Sequence, residues 1–312
     1  MNRIPLLMDC DPGHDDAAAL FMALGSGVFD LQGITTVPGN GLLPNVTENA
    51  LRLVAFLGEE IPVVPGCVKP LAGECRPALS YHGATALDGV ILPLSERGPL
   101  RENAVDFMAA KIREAEGEMV IAALGPLTNI AALLLSYPEL KGKIKRLCLM
   151  GGSTSGGNIT PAAEFNIWHD PEAAAIVFGS GLPITMCGLD VTEKMALRPE
   201  EIEEVRHSGR VGALCAQLFD YCQDTFGGNG RDLVVHDAVV SGWLIKEGLF
   251  DTRRFYVEVD TGKSLSRGCT ATYIRPFGVG CKEANIDVVV GGDRDGFARL
   301  FIDCIAKLGQ RR

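Results

Sequence analysis

The stretch Asp9-Cys10-Asp11-Pro12-Gly13-His14-Asp15-Asp16-Ala17 places four carboxylates within eight positions. It follows the apolar run Ile4-Pro5-Leu6-Leu7-Met8 and precedes the apolar run Ala18-Ala19-Leu20-Phe21-Met22. This order indicates a strand, a tight turn and a helix. Because parallel sheets present their binding residues at the carboxyl ends of the strands, we expect these acids to lie in a functional crevice.

Four acids this close together repel one another, so their negative charge must be compensated by a nearby group. Two carboxylates about 4 Å apart repel by about 4 kcal/mol at an effective dielectric constant of about 20. Asp9 and Asp11 point the same way if the strand runs through both. Asp15 and Asp16 fall in the first helical turn, where free N–H groups favour negative charge. Carboxylate oxygens suit Ca²⁺ or Mg²⁺ better than Zn²⁺, so we predict a bound cation and keep Asp9 for structural hydrogen bonding.

Beyond this stretch, short apolar runs alternate with helical patterns through the first two thirds of the chain. Strands are predicted at residues 6–9, 31–37, 62–64, 119–124, 144–150 and 183–189. Helices are predicted at residues 15–24, 45–57, 102–114, 128–135 and 171–178. This alternation predicts an α/β fold with a predominantly parallel open sheet, a Rossmann-like core and helices on both faces. The functional site is expected at the carboxyl ends of the strands, where Asp190 should also lie.

The last third of the chain has a different pattern. Helices are predicted at residues 200–207, 211–224, 237–247 and 294–308, and strands at residues 254–259, 271–274 and 286–290. No linker rich in Pro, Gly or Ser separates this part from the rest, so we interpret residues 1–312 as a single domain. The segments 65–100 and 225–235 lack a regular pattern, and loops of such length are often functional.

Composition and charge exclude several classes of protein. Of the 312 residues 47% are hydrophobic and 22% charged, so a sizeable core is available. A net charge of −10 without a basic run argues against nucleic acid or an anionic membrane as partner. The longest apolar run, Ala17 to Leu24, is far shorter than the roughly 20 residues of a spanning helix. The start of the chain lacks a signal-peptide layout, so we expect a cytoplasmic protein whose ten cysteines are reduced.

Further motifs follow in a fixed order. They are V-P-G-N at 37–40, G-P-L-T-N at 125–129, M-G-G at 150–152, E-F-N at 164–166 and H-D at 236–237. With D-x-D-P-G-x-D-D at 9–16, this series resembles the inosine–uridine-preferring nucleoside hydrolase family over essentially the whole chain. Within that family it is most similar to the bacterial ribonucleoside hydrolases of the pyrimidine-specific type.

The resemblance implies an activity and its partners. The expected reaction is hydrolysis of the N-glycosidic bond of ribonucleosides to free base and ribose, with a preference for uridine and cytidine. A purine-preferring or non-specific hydrolase remains the alternative. The resemblance also implies one Ca²⁺ per subunit, a small ribonucleoside as substrate and a homotetramer.

The resemblance assigns roles to the residues at matching positions. Asp11 resembles the general base, which activates a calcium-bound water and also ligates the ion. The other implied metal ligands are Asp16, Asp237 and the backbone carbonyl of Leu124. The implied ribose-binding residues are Asp15, Asn40, Asn158, Glu164 and Asn166. His82 and His236 resemble a pair of histidines that face the base in relatives favouring pyrimidines, so both are predicted to be catalytic and substrate-binding.

The aromatic contact to the base is left open. The segment 226–231 lacks the aromatic residue that some relatives place against the base, and either Tyr81 or Phe226 could substitute for it. We expect Trp168 to be a core residue and His14 to be structural. We expect His169 and His207 to be surface or packing residues.

Two other functions, a phosphatase and a non-catalytic nucleoside-binding protein, account for some of these sequence features. Asp9-x-Asp11 after a strand, with Gly292-Asp293-Arg294-Asp295 near the end, resembles the haloacid-dehalogenase-like phosphatases. That class requires a hydroxyl-bearing residue where Gly13 stands. A non-catalytic, Ca²⁺-dependent nucleoside-binding protein would use the same fold. Release of ribose from uridine separates a hydrolase from both.

Overall fold

The fold is built on a nine-stranded sheet, seen in a computed structural model that describes residues 3–225, 230–275, 279–280 and 282–310. The strands are β1 (Ile4–Cys10), β2 (Phe29–Thr36), β3 (Val63–Pro65), β4 (Met119–Ala123), β5 (Ile144–Met150), β6 (Ile184–Cys187), β7 (Phe250–Val259), β8 (Thr270–Tyr273) and β9 (Ile286–Gly292). Their order is β3-β2-β1-β4-β5-β6-β9-β7-β8. All pairs from β3 to β9 are parallel, whereas β7 runs antiparallel to β9 and β8. The predicted α/β fold with a predominantly parallel sheet is confirmed.

Helices cover both faces of this sheet. They are α1 (His14–Ser26), α2 (Leu43–Leu57), α3 (Leu79–His82), α4 (Ala104–Glu114), α5 (Thr128–Ser136), α6 (Phe165–His169), α7 (Pro171–Phe178), α8 (Leu189–Thr192), α9 (Pro199–Arg206), α10 (Arg210–Thr225), α11 (His236–Ile245) and α12 (Arg294–Gly309). Successive side chains of β1 alternate between the two faces, so Leu6 and Met8 pack into one core and Leu7 into the other. Of the helices described, none has the length and apolar character needed to cross a membrane.

Three short helices lie where the sequence indicated none. They are α3, α6 and α8, each of four or five residues. Such helices are too short to show a helical period, which explains why the sequence pattern missed them. The strand predicted at residues 183–189 ends at Cys187, and Asp190 lies in α8. Its carboxylate accepts a hydrogen bond from the backbone N–H of Thr154 at 2.7 Å, so it supports a loop and does not line the crevice.

Asn129 ties the carboxyl ends of the central strands together. Its amide donates to Asp9 Oδ1 at 2.8 Å and to the Thr36 carbonyl at 3.0 Å. Its own carbonyl accepts from the N–H of Cys67 at 2.8 Å. Thr35 donates to the same Asp9 oxygen at 2.5 Å. Asp9 therefore has the structural hydrogen bonding expected of it, although burial raises its pKa to about 6.

Candidate active site

A pocket opens at the carboxyl ends of β1, β4 and β5, the edge at which the sequence placed the site. The predicted site residues that line it are Asp11, Asp15, Asn40, His82, Leu124, Asn158, Glu164, Asn166, His236 and Asp237. Asp16, the remaining one, is buried beneath the turn and accepts hydrogen bonds from the N–H groups of Asp11 at 3.2 Å and Gly13 at 2.9 Å. The fold therefore gathers the whole predicted set around one cavity.

Asp11 is held at the floor of the pocket by two glycines and one amide. Its Oδ2 accepts from the backbone N–H of Asn40 at 2.6 Å. A Cβ atom added at Gly39 would overlap Asp11 Oδ2, and one added at Gly125 would overlap Asp11 Oδ1. Both glycines belong to motifs that the sequence singled out. Their role is to let two loops close on this carboxylate.

Three further acids converge beside Asp11. Carboxylate oxygens of Asp15, Asp16 and Asp237 all lie within 4.8 Å of one another. This set contains two of the predicted metal ligands, Asp16 and Asp237, together with Asp15, which was predicted to bind ribose. Oxygen-only donors at such separations suit a calcium ion, because Ca²⁺ takes six to eight oxygen ligands.

The protonation of these acids shows how much they need a cation. Burial and, to a smaller extent, the charge of Asp15 raise the pKa of Asp16 to about 7. Burial also raises the pKa of Asp237 and of Asp11 well above the usual range. The closeness of the Asp16 and Asp237 carboxylates favours a proton held between them. A divalent cation would take the place of that proton, so the residues present fit the calcium that the sequence implies.

One wall of the pocket is α6 and the loop before it. Glu164 caps α6, because its carboxylate accepts from the N–H groups of Asn166 at 2.9 Å and Ile167 at 3.1 Å. The amide of Asn166 donates to the Leu124 carbonyl at 2.7 Å. A carbonyl has two lone pairs, so this bond leaves one for the implied metal contact. Asn158 accepts from the N–H of Phe165 at 2.9 Å.

Another part of the pocket lining carries the two predicted histidines. His236 begins α11, and its Nδ1 lies 2.8 Å from the Thr192 hydroxyl. The Nδ1 of His82 lies 3.0 Å from the Nδ1 of His14. Burial lowers the pKa of His82 to about 4 and also lowers the pKa of His236. A neutral imidazole can donate one hydrogen bond and accept another, which suits a nucleobase edge.

Comparison with known proteins agrees with this geometry. Residues 6–299 match the family model described as inosine-uridine preferring nucleoside hydrolase. The chain belongs to the inosine-uridine preferring nucleoside hydrolase family. This membership confirms the predicted family and enzyme class, a hydrolase that acts on nucleosides, and excludes the phosphatase alternative.

Individual relatives of this hydrolase cover almost its whole length. It is 44% identical to the pyrimidine-specific ribonucleoside hydrolase RihA of Shewanella sp. (strain ANA-3), over 97% of this chain and 96% of the relative. Among solved structures it resembles the plant nucleoside hydrolase PpNRh1, with a TM-score of 0.91 and 31% identity over 98% and 99% of the two chains. It also resembles the purine-preferring ribonucleoside hydrolase from Gardnerella vaginalis, with a TM-score of 0.90 and 32% identity over the same shares.

The motif that suggested a phosphatase lies away from the pocket of the hydrolase. Asp293 caps α12, because its carboxylate accepts from the N–H of Gly296 at 3.0 Å. Asp295 is exposed and pairs with Arg198 at 3.1 Å. Neither residue lines the cavity.

Several pocket residues of the hydrolase were missed by the sequence analysis. Trp168 was expected in the core, and this was wrong, because its indole lines the pocket. The guanidinium of Arg76 lies over it, 5.8 Å from the ring centroid. Phe165 also lines the pocket, and so does Tyr81, which the sequence analysis had named as one of two candidates for an aromatic contact to the base. Phe226, the other candidate for an aromatic contact to the base, lies outside the described residues.

The segment 66–88, here called the strap, supplies much of the pocket wall. It packs against the three consecutive residues 168–170. Asp170 accepts from the N–H of Leu71 at 2.8 Å. The Nε2 of His169 lies 3.8 Å from the thiol of Cys75. Trp168 lies under Arg76, as described above. His169 is the packing residue that we expected, and its buried Nδ1 has no partner among the described residues. His207 is exposed beside Glu203, at 2.9 Å.

Proposed function

We propose that this hydrolase cleaves the N-glycosidic bond of ribonucleosides to free base and ribose and that it prefers uridine and cytidine. The observation that carries the proposal is the convergence of four acids and two histidines on one pocket. The names of the relatives, which are pyrimidine-specific ribonucleoside hydrolases, support the preference.

We assign the cation site to Asp11, Asp16, Asp237 and the carbonyl of Leu124, with Ca²⁺ as the ion. When bound there, the ion would lower the pKa of a water and hold the ribose hydroxyls. Asp11 is the general base that accepts the proton of the attacking water. Its carboxylate is held by the Asn40 N–H and enclosed by two glycines, which fixes the direction from which it acts.

The remaining polar residues of the pocket hold the sugar. They are Asp15, Asn40, Asn158, Glu164 and Asn166. Their multiple contacts fix the sugar for attack. The attacked carbon gains oxocarbenium character, and the buried acids around it stabilise that positive charge. Loss of the 2′-hydroxyl would leave polar groups unpaired, so we expect strong selectivity for ribose over 2′-deoxyribose.

His82 and His236 face the base in this proposal. Both are predominantly neutral at pH 7, because burial lowers the pKa of each ring. Each ring has its Nδ1 engaged by a protein group, His14 for His82 and Thr192 for His236, and presents its Nε2 to the edge of a pyrimidine. The aromatic side chains of Tyr81 and Trp168 are available to cover the face of the base.

The test is kcat/KM across uridine, cytidine, inosine and adenosine, measured as released ribose. We expect both pyrimidine nucleosides to exceed both purine nucleosides. Higher values for inosine or adenosine would select the purine-preferring alternative, for which the aromatic wall and the Gardnerella relative are arguments. Binding of uridine with Ca²⁺ but without release of ribose would select the non-catalytic alternative. Prolonged chelation should abolish activity, and Ca²⁺ should restore it.

Three coarser features belong to the same proposal. We propose a homotetramer, to be tested by sedimentation equilibrium. We propose that residues 1–312 form one domain, which should unfold in one cooperative transition. We propose a cytoplasmic location, to be tested by cell fractionation.

A further inference from the structure

His14 connects three parts of the protein at the edge of the pocket. It begins α1, and its ring stacks on Tyr221 of α10 with centroids 5.0 Å apart. On its other side the ring stacks on His82 of the strap, with centroids 5.2 Å apart. Its Nε2 lies 2.9 Å from the backbone carbonyl of Asp88, and its Nδ1 lies 3.0 Å from the Nδ1 of His82. Both ring nitrogens therefore have a partner.

The carbonyl of Asp88 decides which nitrogen of His14 carries hydrogen. A carbonyl oxygen only accepts, so the Nε2 of His14 must be the donor of this bond. A neutral imidazole carries one hydrogen, which leaves the Nδ1 of His14 with a lone pair. The contact at 3.0 Å then requires the Nδ1 of His82 to donate. A neutral His82 is consequently left with a bare Nε2.

The Nε2 of His82 is the nitrogen that remains for a ligand. It has no hydrogen-bond partner among the described residues. It is also absent from the buried polar atoms that lack a partner there, which are Asp9 Oδ2 and His169 Nδ1. The ring of His82 lines the pocket. The contact between the two Nδ1 atoms excludes two charged rings, because one of these nitrogens must carry a lone pair.

We propose that His14 is a positioning residue that fixes the tautomer of His82, so that His82 presents a lone pair to the base. The identity of the base rests on the proposed function. In this arrangement His82 accepts a hydrogen bond from an N–H group of the base, and it does not donate a proton to the departing base. Any proton donated by a histidine to the leaving group must then come from His236.

The surroundings hold this chain of hydrogen bonds in place. The carboxylate of Asp88 accepts from the N–H groups of Ala84 at 2.9 Å and Thr85 at 3.0 Å, which fixes the residue whose carbonyl receives His14. Gly13 leaves room for the contact, since a Cβ atom there would lie 2.7 Å from the Nδ1 of His82. The backbone therefore fixes both the carbonyl that accepts from His14 and the space that lets His82 come close to His14.

The first test reads the tautomers directly by nitrogen-15 NMR of histidine-labelled protein at neutral pH. The chain has five histidines, and the His82→Gln variant identifies the signals of His82. We expect His82 to carry hydrogen on Nδ1 and His14 to carry it on Nε2. Hydrogen on Nε2 of His82 would overturn the proposal. This measurement needs no substrate, so its result is independent of whether the proposed function holds.

The second test separates positioning from simple packing. His14→Phe keeps a ring between Tyr221 and His82 but removes both hydrogen bonds. We expect KM for uridine to rise on the order of tenfold with little change in kcat, as for a lost substrate-orienting contact. In a His82→Phe background the same change should cost nothing further, because the group that it orients is gone. An equal cost in both backgrounds would show a structural role and overturn the proposal.

Two conservative variants and two controls complete the design. His14→Asn can keep an acceptor near the Nδ1 position and should restore part of the loss, whereas His14→Gln mimics only the Nε2 position and should not. The reverse order would contradict the tautomer argument. Titration with calcium alone should give unchanged affinity in His14→Phe, and a parallel loss of calcium affinity would overturn the proposal. His207→Gln, at an exposed histidine, should behave as the unmodified protein.

Discussion

The turn between β1 and α1 and the strap form adjoining sides of one pocket, and each holds its functional residues in a different way. The turn holds its acids with backbone groups: the N–H groups of Asp11 and Gly13 bind Asp16, and the N–H of Asn40 binds Asp11. The strap holds Tyr81 and His82 in the single helical turn α3, outside the sheet, and the side chains of His14, His169 and Trp168 support it. Backbone hydrogen bonds at strand ends leave little freedom, whereas a long irregular segment can open locally at low cost.

This difference matches the division of labour in the proposed function. A general base and metal ligands lose efficiency with small displacements, so they benefit from a rigid edge of the sheet. Residues that recognise a base must also admit and release it, so they benefit from a segment that is not part of the sheet. The predictions below test this comparison, from the largest expected effect to the smallest.

The largest loss of turnover is expected from a substitution in the turn between β1 and α1. Asp11→Ala removes the proposed general base and a proposed metal ligand together, so turnover should fall by at least about 10³-fold. Steady-state release of ribose and thermal unfolding check it. Asp30→Ala, at an exposed acid of β2, is the matched control. Near-normal activity of Asp11→Ala would remove Asp11 from the mechanism.

Gly13 lies where the two sides meet. A Cβ atom there would lie 2.7 Å from His82 Nδ1 and 2.8 Å from Asn40 Nδ2, so Gly13→Ala must displace one or both. A misplacement of about 1 Å can cost about 10²-fold in rate, and we expect kcat/KM to fall by about that much. The melting temperature should change little, because the strap can move aside. Gly98→Ala, with open space around its Cβ, should be silent in both measurements.

The strap should loosen in acid through His169. Burial lowers the pKa of His169 from its ordinary 6.5 to about 4, so the folded state holds the neutral ring. The stabilisation is complete above pH 6.5 and is lost as the pH falls from 6.5 towards 4, because only the unfolded chain takes up the proton there. Wild type should lose about 2–3 kcal/mol of unfolding free energy relative to His169→Phe over this range.

Denaturant titrations at a series of pH values measure this difference. Parallel pH profiles of wild type and His169→Phe would show that His169 is not held neutral by the fold. His207→Phe serves as the control, because His207 is exposed and packs against nothing in the strap.

The smallest effect should come from the contact of Arg76 with Trp168. Exposed cation–π contacts contribute roughly 0.5–1 kcal/mol, so Arg76→Ala should raise KM by about two- to fivefold with kcat nearly unchanged. Arg113 lies over Tyr137 at 4.9 Å, far from the pocket in the fold, and Arg113→Ala should leave KM unchanged. A large fall in kcat for Arg76→Ala would show that Arg76 contributes to the chemical step itself.

Sequence reasoning was most effective where chemistry depends on local order. The acids of the turn at residues 9–16 could be assigned to the site from the sequence, because a strand, a tight turn and a helix start are all local patterns. The glycines at 39 and 125 stood out in motifs, although only the structure showed that both close on Asp11. Strand β5 and helix α7 were predicted at their observed bounds, since each has a continuous apolar pattern and a clear start.

Sequence reasoning failed where one turn of helix decides the side-chain direction. Trp168 lies in α6, whose five residues are too few to establish an apolar face. It was therefore placed in the core, whereas α6 turns it towards the pocket. The same reason hides α3, which presents His82.

The sequence by itself thus determined the α/β fold, the family and the set of acids and histidines from which the site is made. These follow from local periodicity and from the order of motifs along the chain. Only the tertiary structure decided how the acids share protons, what supports the strap and which nitrogen of His82 is free. Those properties depend on distances between groups far apart in the chain, such as His14 and Asp88, and no local pattern encodes them.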